Sequence, residues 1–95
     1  MNKNLPIVVN SSSWTMQEKS MIRSFKFEKR KTSEFFIFEM LKFLRDTVAD
    51  IEFRKRDNNV IIVIRAFSPS ISEIEIESSK KIEEIYEDVM YYNNR

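Results

Sequence analysis

Residues 60–64, VIIVI, are an unbroken run of β-branched side chains, apolar on whichever face of a strand they are placed. A strand of that kind is stable only when both of its faces are covered. The segment before it, IEFRKRD, alternates instead, with Ile51 and Phe53 on one side and Glu52 and Arg54 on the other. Between the two stand Asn58 and Asn59, which tolerate positive φ and so let the chain reverse tightly without glycine. The pair therefore predicts a central hairpin with helices on one side. The second face of VIIVI needs a further cover, either a subunit interface or the chain's own N-terminal arm.

Other elements follow from period and punctuation. WTMQEKSMIRSFKFEK reads as a first hairpin, with a short strand over residues 14–17, a turn at 18–20 and a strand placing Met21, Phe25 and Phe27 on one face. Arg23 shares that face, so it lies at a layer edge or has a buried partner. KTSEFFIFEMLKFLRDTVAD switches to helical spacing. Thr32 or Ser33 is expected as N-cap, Glu34 and Glu39 stand early, and Lys42 and Arg45 late. Its apolar positions cover more of the circumference than one sheet contact needs, which implies a second partner. The last segment, SPSISEIEIESSKKIEEIYEDVMYY, has a Ser70 or Ser72 cap, Glu73 and Glu75 in the first turn, and Ile71, Ile74, Ile82, Ile85, Tyr86 and Val89 at helical intervals. A period-two strand over ISEIEIE competes locally, but the cap and the continuity with KKIEEIYEDV favour helix. The expectation is a two-layer α+β domain of order β-β-α-β-β-α, a four-stranded antiparallel sheet with two helices on one face. It spans residues 14–92, with residues 1–13 as a flexible arm and 93–95 as a tail.

Ninety-five residues suffice for one such core. The chain has no histidine, cysteine or glycine. That excludes thiolate and imidazole chemistry, sulfur-ligated metals and glycine-loop phosphate cradles. Neither a cofactor nor a metal is expected. Lys and Arg total 16 against 15 Asp and Glu, a balance that gives no overall pull towards nucleic acid or an anionic membrane. The N-terminal apolar stretch, broken by Pro6, is too short for a signal peptide or a membrane span, so a cytoplasmic protein is expected. The abundance of Glu, Lys and Ile with no Cys is of a thermophile type.

The spacing of Trp14, Ile22, Arg23, Phe25 and Phe27, then Phe36, followed by DNNVIIVIRAF and ISEIEIESSKKIEEI, resembles the pterin-4a-carbinolamine dehydratases from about Trp14 to Val89. The resemblance implies dehydration of a hydroxylated tetrahydropterin by a histidine pair followed by proline, between the first helix and the third strand. Those places hold Ala49, Asp50 and Ile51 here. The family's Thr-His after the fourth strand falls on Ala66 and Phe67, and its acid at the start of the last helix on Glu75, with Glu73 beside it. Every histidine is thus replaced, and any proton transfer would fall to Asp50, Glu52 or Glu75. A carboxylate acts as a base near neutrality only if burial or a like charge raises its pKa. The remnant site, Ala49, Asp50, Phe67 and Glu75, is expected to be non-catalytic. A divergent dehydratase that uses its carboxylates is the enzymatic alternative. The element order, FKFE running into a helix, and DNNVIIVIRA also resemble the small dimerising subunit of the KEOPS tRNA-modification complex of archaea and eukaryotes. That family's Leu-Arg-Ala start and Asn-Ser pair are missing from the last helix.

The surfaces then carry the functional expectation. Phe35, Phe36, Phe38 and Phe43 read as core plus interface, because each ring buries a large apolar area. Phe35 and Phe38, with Ile61 and Val63 on the sheet, are the expected interface of a homodimer or tetramer, or of a protein partner. Lys29, Arg30 and Lys31 with Arg54, Lys55 and Arg56 form two basic clusters. These offer a phosphate-contacting rim, possible for RNA. A charged guard on an edge strand is the favoured reading, since no exposed aromatic ladder accompanies them in sequence.

Overall fold

The computed structural model describes residues 14–93. The elements are β1 (Thr15–Met16), β2 (Ser20–Lys26), α1 (Arg30–Leu44), β3 (Asp50–Arg56), β4 (Asn59–Arg65) and α2 (Glu73–Asn93). All strand pairs are antiparallel, and the spatial order is β1-β2-β4-β3. The order β-β-α-β-β-α and the α+β class are as expected, with both helices on one face of the sheet. The expected arm, residues 1–13, lies outside the described residues, and α2 runs one residue into the expected tail.

The hydrophobic pattern explains which face is covered. Register aligns Met21, Ile64 and Ile51 in one row across the sheet, and Arg23, Ile62 and Phe53 in the next. Val60, Ile62 and Ile64 are fully buried there beneath Phe36 and Met40 of α1 and Ile82 of α2. Phe25 sits at the centre, tilted against Phe36 and Tyr86 with ring centroids 5.0 and 4.8 Å apart. Such pairs add about 0.5–1.5 kcal/mol to the area term. The other face of VIIVI, Ile61 and Val63, is half-buried beside Ile22, and no described residue covers it.

Two boundaries differ from the sequence expectation. Helix α1 starts at Arg30, not after Thr32 or Ser33: Lys29 is extended and makes no side-chain cap. Thr32 and Ser33 are buried inside the first turns, and the Ser33 hydroxyl donates back to the Arg30 carbonyl at 2.6 Å. The Ser33 hydroxyl thus satisfies local backbone rather than capping the helix. Glu34 consequently stands beyond the first turn, where it pairs with Arg30 at 2.9 Å. The central hairpin turns on Asp57 and Asn58, with Asp57 in the left-handed region at φ 56°, while Asn59 is already the first residue of β4. By contrast, Ser72 stands immediately before α2 as expected, and Glu75 accepts from both its amide and its hydroxyl there.

Candidate functional site

The resemblance places the remnant site where the α1–β3 connection meets the start of α2. The connection is held by local bonds: the Asp46 amide donates to the Phe43 carbonyl at 3.1 Å, and the Ala49 amide to the Thr47 hydroxyl at 3.3 Å. Opposite it, the first turns of α2 leave a cleft of about 550 Å³. Phe43, Thr47, Val48, Ile74 and Ser78 line it, with the carboxylates of Asp46, Glu73 and Glu77. Val48 is 74% exposed at its mouth. Among the described residues, no three carboxylates are grouped so that they could hold a metal ion.

Glu75 is the chemically unusual group of this region. It is fully buried, and its Oε1 accepts hydrogen bonds from both the Ser72 amide and the Ser72 hydroxyl at 2.7 Å. Burial pushes its pKa upward, but the Ser72 bonds outweigh this, helped by the backbone amides of Glu75 and Phe67, and the pKa is lowered overall. Its Oε2 has no hydrogen-bond partner among the described residues. The arrangement is one half of a capping box. A carboxylate held ionised in this way is a weak proton acceptor.

The other remnant positions do not converge on Glu75. The Phe67 ring is 64% exposed, so this residue meets Glu75 through its backbone only. Asp50 opens β3 paired in register with Arg65, on the face turned away from the helices. There Glu52 accepts from Arg65 at 2.6 Å and from Arg54 at 3.2 Å. The Arg65 bond, then that of Arg54, lowers the Glu52 pKa; Glu52, and more weakly Asp50, raises that of Arg65. Asp50 belongs to this row of charges and not to the cleft.

The expected interface residues fall on two separate surfaces. Phe35 and Phe38 lie on the outer side of α1, Phe38 57% exposed, with Leu41 beside them. Next to them a groove of about 280 Å³ runs between the helices, lined by Phe35, Glu39, Ile85 and Tyr92. Ile61 and Val63 occupy the open face of the sheet on the opposite side of the molecule. The basic clusters, in contrast, meet: the Phe27 amide donates to the Asn58 carbonyl at 3.2 Å, and the Asn58 side-chain amide to the Glu28 carbonyl at 3.3 Å. The turn that carries Arg54, Lys55 and Arg56 is thereby joined to the start of Lys29, Arg30 and Lys31.

One constellation escaped the sequence reading. Glu83, on the last helix, accepts from Trp14 Nε1 at 2.9 Å and from both Nε and Nη2 of Arg23. The Arg23 guanidinium lies 3.9 Å over the Phe25 ring. The signal was present, since Ser79, Glu83, Tyr86 and Met90 share one helical stripe and Arg23 on a buried face requires a counter-charge.

Neither a protein-family model nor a curated protein matches the sequence. The fold is similar to the crystal structure of a transcriptional coactivator/pterin dehydratase from Brucella melitensis. The TM-score is 0.68 at 19% sequence identity, over 90% of this chain and 99% of that one. The chain thus shares the fold of that pterin dehydratase.

Proposed function

We propose that the chain is a non-catalytic protein of pterin-dehydratase fold that acts in the cytoplasm as a dimerisation or protein-interaction module. The observation that carries this reading is the exposed strip of Phe35, Phe38 and Leu41 beside the interhelical groove. Exposed aromatic side chains grouped at a groove are what a protein interface uses as anchors. The lowered pKa of Glu75 and the placement of Asp50 on the far face support a non-catalytic role, because neither is disposed to take a proton from a ligand in the cleft. Among the described residues, no helix is long and apolar enough to cross a membrane. Sedimentation equilibrium at micromolar concentration tests the proposal. A dimer or tetramer is expected, and a monodisperse monomer that also captures no protein partner overturns it.

The cleft itself favours one second reading, a divergent dehydratase working through carboxylates. Its size suits a small ligand, and three carboxylates line it. Calorimetry with a reduced pterin, and the dehydration rate of its carbinolamine, decide the matter. The absence of both binding and rate acceleration removes this reading.

A further inference from the structure

The two basic clusters were separable in sequence but not in space, and what joins them has a second consequence. In register, Lys26, Asn59 and Arg56 form one row across β2, β4 and β3, on the open face. With neighbouring strands about 4.8 Å apart, the two cations stand about 10 Å from each other. Lys29 and Lys31 continue outward from Lys26 into the start of α1. Arg30 and Arg54 are paired with Glu34 and Glu52. Lys26, Lys29, Lys31 and Arg56 have no ion-pair partner among the described residues. Guarding of a sheet edge explains cations on the edge strand β3, and also Lys26, beside which β2 has no partner beyond β1, but Lys29 and Lys31 are on no strand.

Helix α2 ends at this same place. Met90 shares a hollow of about 230 Å³ with Lys26, Glu28, Lys29 and Thr32. The next two residues are Tyr91 and Tyr92, each 63% exposed, with ring centroids 5.2 Å apart. An aromatic pair thus stands within one turn of Met90, at the end of α2 that reaches Lys26 and Lys29, with Tyr92 also lining the interhelical groove, although some sixty residues separate the tyrosines from Lys29 and Lys31 along the chain. Cations in a line follow a linear polyanion, and adjacent exposed rings accept unpaired bases of any sequence. A lipid surface would call for apolar side chains among the cations, and an acidic peptide offers nothing for the rings to stack on.

We propose that this end of the molecule binds single-stranded nucleic acid, with phosphates along Lys26, Lys29, Lys31 and Arg56 and bases against Tyr91 and Tyr92. Fluorescence anisotropy of the full chain with labelled oligo-dT and oligo-U tests this and separates DNA from RNA. Micromolar binding at low salt is expected. For about four phosphate contacts, affinity falls roughly 50-fold between 50 and 200 mM salt. The variant Lys29→Glu/Lys31→Glu/Arg56→Glu should lose binding by at least about tenfold, and Tyr91→Ala/Tyr92→Ala by roughly tenfold at unchanged salt dependence. Lys19→Glu/Arg45→Glu/Lys80→Glu removes equal charge elsewhere and should retain most of the affinity. Circular dichroism establishes that each variant is folded. The proposal is overturned by no binding at 50 mM salt, by equal losses in the two charge variants, or by insensitivity to the tyrosine changes. It is equally overturned if a duplex, poly-glutamate or anionic vesicles bind as tightly as the single strands.

Discussion

Arg23 shows how one side chain can decide the arrangement around it. Its position on β2 turns it towards the core, where an unpaired guanidinium would be costly, and Glu83 reaches it across the layer with Trp14 on the same carboxylate. The pair is mostly enclosed, each side chain about one-fifth exposed. Removing one partner therefore strands the other. Glu83→Ala is expected to destabilise the protein by about 2–4 kcal/mol, just below the range for fully buried pairs, read from the midpoint of urea unfolding. The double variant Arg23→Met/Glu83→Leu should recover much of this, which a purely local effect of Glu83 would not allow. Glu75 makes a different prediction. Its folded pKa lies below the ordinary value of 4.5, so the unfolded chain binds the proton more readily. Its stabilising contribution is complete above that ordinary value and is lost as pH falls through the lowered folded one. Glu75→Gln should flatten this part of the acid limb in unfolding free energy measured from pH 7 to pH 2; an unchanged limb would refute the assignment.

At the level of elements, strands were legible because alternation reports directly which face is covered, and both hairpins and both helices appear where the period changes. Ends were harder to read. Thr32 and Ser33 look like caps in sequence, but a cap must precede the helix, and their hydroxyls are enclosed by the layer that α1 packs onto. Nothing in residues 29–33 alone tells of that enclosure. The left-handed position fell on Asp57 rather than Asn58 or Asn59 because register is set by pairing of β3 with β4, and the row Arg56–Asn59 leaves only two residues to turn. The carbonyl of Asp57 also accepts from Lys55 Nζ at 2.6 Å. Asp57→Gly should be neutral or mildly stabilising, while Asp57→Val should cost about 1–2 kcal/mol, since a β-branched residue is strained at positive φ. Thermal unfolding of the two variants measures the difference. Site legibility was poorer still: Glu75 was reached through the resemblance to a family whose acid stands at the start of the last helix, whereas the pairing of Glu83 with Arg23 and the approach of Met90 to Lys26 and Lys29 depend on contacts across some sixty residues.

Residues 14–93 measure 37 × 30 × 21 Å, and the shortest dimension matches one sheet and one helical layer. Its two broad sides differ in kind. The helical side presents Phe35, Phe38 and Leu41, apolar and projecting, whereas the sheet side presents Ile22, Ile61 and Val63 between Glu52, Arg54 and Arg65. A stable interface takes about 800 Å² from each partner, and either broad side is large enough to supply it. Because the two sides face opposite directions, no single two-fold contact can use both pairs of expected interface residues. A dimer selects one side, and a tetramer built from both would need two distinct contacts. The variants separate these cases. Phe38→Glu places a charge in the helical contact and Ile61→Lys in the sheet contact, and neither alters the enclosed core. If the helical side carries the association, Phe38→Glu should weaken it at least about tenfold, as expected for a charge in an aromatic anchor site, while Ile61→Lys leaves the mass in sedimentation unchanged. A tetramer that falls to a dimer with either substitution, and to a monomer with both, would assign one contact to each side. Retention of the full assembly in the double variant would exclude both surfaces.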